Sequence, residues 1–158
     1  KIADHEERLS FLVNQVERMT GLKNFGIYLN KLFTIDAFFL NEDRHMHNIA
    51  VLMSGEGEFR YCPIFDNGAG LLADTRMDYP LSEDVYELME QSKSKTICSD
   101  YDEQLDISEK MFKTNLQFSF SKKDVRELLE SVTEYSEGEK NRVETIIYEQ
   151  MRKYSYLF

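Results

Sequence analysis

The stretch FFLNEDRHMHNIAVL, residues 38–52, decides how this chain is read. Before it, Phe25, Tyr28, Leu29, Leu32, Phe33, Phe39 and Leu40 recur at helical spacing up to about Asn41, and Asn24 is placed to cap that helix. After it the period changes. IAVLM (49–53) is an apolar run of strand length, SGEGE is turn chemistry, and FRYCPIF (59–65) reads as a returning strand. A helix therefore ends and a β-hairpin begins across a junction crowded with Asn41, Asp43, Arg44, His45, His47 and Asn48. Connections of this kind, held by rigid elements on both sides, are where reactive side chains are usually carried.

Outward from the junction, Leu9, Leu12, Val13, Val16 and Met19 predict an amphipathic helix over 3–20, stopped by Gly21. Pro63 has no N–H and belongs at a strand edge or end. Gly55 and Gly57 lie between the two strands, so a turn is the reading rather than a phosphate-binding loop. Val85, Leu88 and Met89 predict a short helix from Ser82, its N-cap, to about Ser92. Residues 93–110 read as polar and irregular. Asp100, Asp102 and Asp106 have part of a calcium-loop spacing but lack its Gly and its terminal Glu. Ser121 caps KKDVRELLESV, and 137–156 form a last helix with Val143, Ile146, Ile147 and Met151 on one face. The tyrosine-rich tail YEQMRKYSYLF has the apolar period of a segment packed on the core. The fold class is mainly α with a small β-hairpin, an α+β arrangement, in a single domain over 1–158.

Composition narrows the function classes. The 42% hydrophobic content, with 11 Phe and 9 Tyr, supports a packed core rather than disorder. A net charge of −10, from 19 basic and 29 acidic residues, opposes contact with nucleic acid or anionic lipid and favours a bound divalent cation. Cys62 and Cys98 cannot build a disulfide framework and show no CxxC spacing, so reduced cytoplasmic thiols are expected. No apolar run reaches the roughly 20 residues that cross a bilayer, and KIADHEERLS is not a signal peptide. The first residue is not Met, which reads as a cut fragment or a processed product.

Asp43 and Asn48 stand five positions apart, the separation by which a phosphoryl-transfer loop presents a carboxylate to a hydroxyl and an amide oxygen to a cation. The returning strand ends in PIFDNG, and a hairpin brings its two ends together, so Asn48 and Asp66 are expected to converge. Two hard oxygen ligands suit magnesium, with Asp-Asn-Gly standing where protein kinases have Asp-Phe-Gly. Asp36, on the apolar face of the helix, either accepts hydrogen bonds from backbone N–H groups of the junction or is an ordinary solvated residue. Arg44 pairs with an acidic neighbour or a substrate anion. His45 and His47 with Asp43 and Asp66 also form an alternative, a metal-dependent hydrolase cluster, though that leaves the Asp43–Asn48 spacing unexplained. Otherwise His47 reads as an exposed loop residue and His5 as a surface helix residue.

DRHMHN followed by PIFDNG resembles the carboxy-terminal lobe of HipA-like kinases, whose signature is Asn-x-Asp-Arg-His-x-x-Asn and then Pro-x-(Tyr/Phe)-Asp. The match covers about residues 25–72; more distantly, the loop is similar to that of phosphoinositide kinases. The resemblance implies a protein-kinase-like helical lobe that uses ATP and Mg2+ to phosphorylate a protein Ser or Thr. It implies Asp43 as catalytic base or hydroxyl-orienting group, His45 as support for the loop or the transferring phosphate, and Asn48 and Asp66 as holders of magnesium and nucleotide, with Asp36 and Arg44 in support. It also implies a missing amino-terminal ATP-clamp lobe, since no glycine-rich loop followed by a strand lysine is present, and an antitoxin-type partner in a toxin–antitoxin setting. The chain departs from the family in Asp66-Asn67-Gly68-Ala69-Gly70, where a Ser commonly follows the metal-binding Asp. Two other readings are a lipid or small-molecule kinase sharing the loop, for which a basic membrane-facing patch is lacking, and a non-catalytic interaction module that keeps the fold.

Overall fold

Asp4 shows how the first helix starts: its carboxylate accepts the N–H groups of Glu6 and Glu7 at 2.7 and 3.1 Å, capping α1, His5–Thr20. The computed structural model describes residues 4–158, so position 3 of the expected helix lies outside the described residues. Gly21 ends α1 in the left-handed conformation (φ 74°), with its N–H on the Glu17 carbonyl. Glu17 then acts a second time. Its side chain accepts the Phe25 N–H at 2.8 Å and so caps α2, Phe25–Phe39. The expected cap, Asn24, is itself left-handed (φ 63°) and makes no side-chain capping bond; the N–H groups of Ile27 and Tyr28 are met instead by its main-chain carbonyl at 3.0 and 3.3 Å.

α2 is buried on nearly every side, as a helix apolar all round must be. One part of it packs Phe25, Leu29, Leu32 and Phe33 with Leu9 and Val13 of α1 and with Ile97. Its end packs Ala37 and Phe38 with Leu72, Leu88, Leu105, Ile146 and Leu157. A helix has four terminal carbonyls without partners in its own ladder. Here all four are satisfied: Asp36 O by the Asn41 N–H (2.9 Å), Ala37 O and Phe38 O by the Gln150 amide (2.8 and 3.1 Å), and Phe39 O by the Leu71 N–H (2.6 Å). The chain then reverses through Leu40, left-handed at φ 52°.

The hairpin follows as β1, Val51–Met53, antiparallel to β2, Phe59–Tyr61, with Leu52 opposite Arg60. Both strands are shorter than the expected 49–53 and 59–65. Pro63 cannot donate to a ladder, and the carbonyl of Phe65 is drawn instead onto Arg44. The next helix, α3, is Val85–Gln91, and its cap is Asp84, which accepts from Tyr86 and Glu87, rather than Ser82.

The largest departure from the sequence reading is α4, Tyr101–Phe112, in the stretch read as irregular. Its inner face is Tyr101, Gln104, Leu105 and Ser108, a helical stripe in which two of the four members are polar. Asp100 caps it through the Glu103 N–H at 2.9 Å, and Asp102 accepts the Tyr154 hydroxyl at 2.6 Å, so the carboxylates read as half a calcium loop are parts of a helix. Two capping boxes start α5, Lys122–Ser131 (Ser121 with Asp124), and α6, Glu137–Lys153 (Ser136 with Glu139). α6 ends before the expected position 156 and gives way to a 3-10 turn, Ser155–Leu157. The tail packs on the core as expected: Tyr154 and Leu157 are buried, and Phe38, Phe118, Phe120 and Phe158 form one aromatic cluster.

The fold is thus mainly helical with one small antiparallel hairpin. No helix among the described residues is long and apolar enough to cross a membrane. α2 and α4 meet at Gly26, where an added Cβ would lie only 2.3 Å from the Phe112 ring. Gly26→Val is expected to destabilise the chain by at least about 2 kcal/mol through overpacking, read as a lower midpoint in urea denaturation with an unchanged slope.

Candidate functional site

Asp36 sits in the last turn of α2 and Arg44 four residues after the helix reverses; each side chain is 1% exposed. Charges this deep persist only when paired and hydrogen-bonded. Arg44 Nε donates to Asp36 Oδ2 at 3.0 Å and Nη2 donates to Oδ1 at 3.2 Å, the forked geometry that arginine makes with a carboxylate. The remaining N–H groups reach outward, to the carbonyls of Asn48 (3.2 Å) and Phe65 and to the side-chain oxygen of Asn67. From the other side the Thr96 hydroxyl donates to the Arg44 carbonyl. One guanidinium therefore joins the end of α2, the junction and the DNG turn, and the loop before α4 holds the same residue by its main chain.

Asn41 completes the connection. Its Nδ2 donates to Asp36 Oδ1 at 2.8 Å and lies 3.5 Å from the Asp66 carbonyl. Asp36 is thus the junction's anchor, but through the side chains of Arg44 and Asn41 rather than the expected backbone N–H groups. Those N–H groups are used within the turn itself, Asn41 on Asp36 O, His45 on Asp43 O and Asn48 on His45 O. Burial pushes the Asp36 carboxyl up from its ordinary value, while the hydrogen bonds and charge of Arg44 and the Asn41 amide pull it back. Of the two partners expected for Arg44, the acidic neighbour is the one present, which removes this guanidinium from any role in gripping a substrate anion.

The proposed chemical groups lie on this frame. The Asp43 carbonyl accepts both the His45 N–H and Asn48 Nδ2 at 2.9 Å, which fixes the main chain of Asp43 while its carboxylate stays half exposed. Asn48 is buried within a 3-10 turn, Met46–Asn48. Because its Nδ2 is committed to a carbonyl, Oδ1 is the atom it can offer a cation. Asp66 is exposed and left-handed (φ 56°) at the turn that Arg44 and Asn41 hold from either side. His45 Nε2 is 4.0 Å from Asp43 Oδ1, and its buried Nδ1 has no hydrogen-bond partner among the described residues.

The two motif segments are therefore brought together through their backbones. The side chains of Asp43, Asn48 and Asp66 make no hydrogen bond to one another among the described residues. An amide oxygen and a carboxylate form a hard donor set, which fits magnesium. The hydrolase alternative fares differently: His45 and His47 stack edge to face at 5.4 Å, and among the described residues the one gathering of three such ligand atoms within 4.8 Å is elsewhere, at His5, Cys98 and Glu103. Sequence reasoning missed Asn67 and Thr96 as partners of Arg44 and gave Asn41 no role beyond the motif; nothing local marks the first two, since their contacts depend on how distant loops fold back.

Compared with protein-family models, curated proteins and solved structures, the chain matches none.

Removing Arg44 leaves a buried carboxylate alone, so Arg44→Met is expected to cost about 3–5 kcal/mol, and Asp36→Leu combined with Arg44→Met markedly less. In the single variant the Asp36 carboxyl is raised further above its unfolded value, so the neutral acid is the form the fold accepts and stability falls as pH rises through that raised value. The deficit of Arg44→Met against the wild type should shrink as pH is lowered from roughly 7 to roughly 5, measured by urea denaturation at each pH. An unchanged deficit would show that Asp36 is not the group left exposed to the change.

Proposed function

We propose that the chain is the helical lobe of a HipA-like kinase, which uses ATP and magnesium to phosphorylate a Ser or Thr hydroxyl of a protein. The observation that carries this reading is the Arg44 guanidinium, which joins the loop Asn41-x-Asp43-Arg44-His45-x-x-Asn48 to the Pro63-Ile64-Phe65-Asp66 segment through Asn48 O and Phe65 O. A template that needs a hydroxyl-orienting carboxylate beside two cation-binding oxygens requires that meeting.

In this reading Asp43 orients the acceptor hydroxyl and takes its proton as the bond to phosphorus forms. The transition state of phosphoryl transfer is loose, so positioning matters more than basicity. Asp43 is suited to it, having a main chain locked by two bonds to its carbonyl and a carboxylate open to an incoming group. His45 lies beside it, with Nε2 at 4.0 Å from Asp43 Oδ1. Asn48 Oδ1 and the Asp66 carboxylate would hold magnesium, which supplies charge neutralisation on the phosphates when nucleotide is bound. The left-handed backbone of Asp66 is strained by roughly 1 kcal/mol and persists because Asn41 and Arg44 grip its carbonyl and its neighbours. Nucleotide would lie between this lobe and a second lobe that carries the glycine-rich loop and lysine. A net charge of −10 favours a protein acceptor over an anionic membrane lipid.

The test is phosphoryl transfer from γ-labelled ATP in the full-length protein with magnesium. Asp43→Asn should slow transfer by roughly 10²–10⁴-fold. Asp66→Ala should lose magnesium-dependent nucleotide binding, and both variants should keep the wild-type circular dichroism spectrum because both side chains are solvent-accessible. Equal labelling by wild type and Asp66→Ala would remove Asp66 from the site and the reading with it.

A further inference from the structure

Away from the junction, three segments converge on a second set of ligating side chains. His5 opens α1, Glu103 stands in the first turn of α4, and Cys98 lies in the loop just before Asp100, the cap of α4. One ring nitrogen of His5, Cys98 Sγ and one carboxylate oxygen of Glu103 all lie within 4.8 Å of one another. His5 Nδ1 and Glu103 Oε1 are 2.7 Å apart and share a hydrogen. Around a tetrahedral zinc ion, with bonds of about 2.0–2.3 Å, neighbouring donor atoms stand about 3.3–3.7 Å apart. The three atoms therefore need shifts on the order of an ångström or less, and Glu103 is an exposed side chain free to make its share.

We propose that His5, Cys98 and Glu103 bind a zinc ion, with water as the fourth ligand. The donor set selects the metal: a thiolate and an imidazole are poor ligands for magnesium or calcium and good ones for zinc. The charges around Cys98 agree. Burial holds the thiol up from its ordinary value, and the acidic neighbours Glu103 and Asp100 add to the effect. Arg8, the neighbouring cation, is turned to the carbonyls of Ile97 and Thr96. A divalent cation at this point makes the same carboxylates favourable. On binding, zinc takes the place of the hydrogen between His5 and Glu103. The displaced imidazole proton moves by way of solvent from Nδ1 to Nε2, leaving a neutral ring, and Cys98 releases its thiol proton to solvent.

Such an ion would also reach the junction without touching it. The loop holding Cys98 carries Thr96, whose hydroxyl donates to the Arg44 carbonyl, and Ile97, whose N–H donates to Gln104 Oε1 at 2.8 Å. Pinning Cys98 to α1 and α4 holds Thr96 where Arg44 needs it. The zinc assignment itself does not depend on the kinase reading.

The test is metal titration of the 158-residue chain, with zinc followed by calorimetry and cobalt by absorption. One equivalent should bind, and cobalt should give the thiolate charge-transfer band together with the strong visible bands of a tetrahedral site. Cys98→Ser should abolish the charge-transfer band and weaken zinc roughly 100-fold or more; His5→Gln and Glu103→Gln should each weaken it at least roughly tenfold. Cys62→Ser and His47→Gln should leave it unchanged. In the unsubstituted chain, zinc should block alkylation of Cys98 while Cys62 stays reactive, a readout that needs no variant to fold. Absence of stoichiometric binding, binding that survives Cys98→Ser or disappears with His47→Gln, or equal alkylation of both thiols would each overturn the proposal.

Discussion

The ion pair between Asp36 and Arg44 is the constraint around which the junction is arranged. Neither charge could be buried alone, and a pair without further donors and acceptors would still be unfavourable. The fold answers by spending every face of the guanidinium: Nε and Nη2 on the carboxylate, and one contact each to Asn48, Phe65 and Asn67. Lysine, a point charge on a flexible stem, could not hold the same set of directions at once. Arg44 also lies at the carboxyl end of α2, where a positive charge is favoured by the helix dipole. The ion pair is therefore a means of specifying the shape of a loop more than a source of net stability.

That loop is positioned from below by a helix that has almost no exposed side. α2 carries both halves of the core, and its carboxyl end is closed by groups from three places: its own reversal, Leu71 and Gln150. Leu71 and Leu72 are both left-handed (φ 58° and 54°), an unfavourable geometry for residues with a Cβ. It is offset by the 2.6 Å bond from Leu71 N–H to Phe39 and by the complete burial of Leu72. Gly70 beside them stands where a Cβ would come to 3.0 Å from the Phe39 carbonyl, so the segment after Asp66 approaches α2 as closely as backbone allows.

Much of this was legible from residue order alone. α1, α5, α6 and the hairpin follow from apolar period and capping residues that act locally. α4 was hidden because Gln104 and Ser108 occupy buried positions where a pattern reader looks for apolar side chains; their partners, Ile97 N–H and Asn30, belong to other segments. Asn24 was misjudged because its backbone is left-handed and its main-chain carbonyl, not its side chain, takes the Ile27 N–H, while the side-chain contact to the helix start comes from Glu17 of the preceding helix. At the junction, the apolar face around Asp36 showed that its carboxylate needed a partner. The choice between backbone donors and Arg44 depends on how the loop folds back, which no periodicity encodes. The meeting of the DRHMHN loop with the DNG turn was legible through hairpin geometry, whereas the roles of Thr96 and Asn67 were not, because their sequence distances from Arg44, 52 and 23 residues, carry no local signal.

The Gln150 amide has a kinetic consequence. It closes two carbonyls that lie 113 and 112 residues earlier in the chain, and contacts of that separation are slow to form because ordering the intervening chain must come first. Until α6 docks, Ala37 and Phe38 lack these partners and the last turn of α2 is free to fray, taking Asp36 with it. The last turn of α2, and with it the frame of the junction, is therefore completed only when α6 docks.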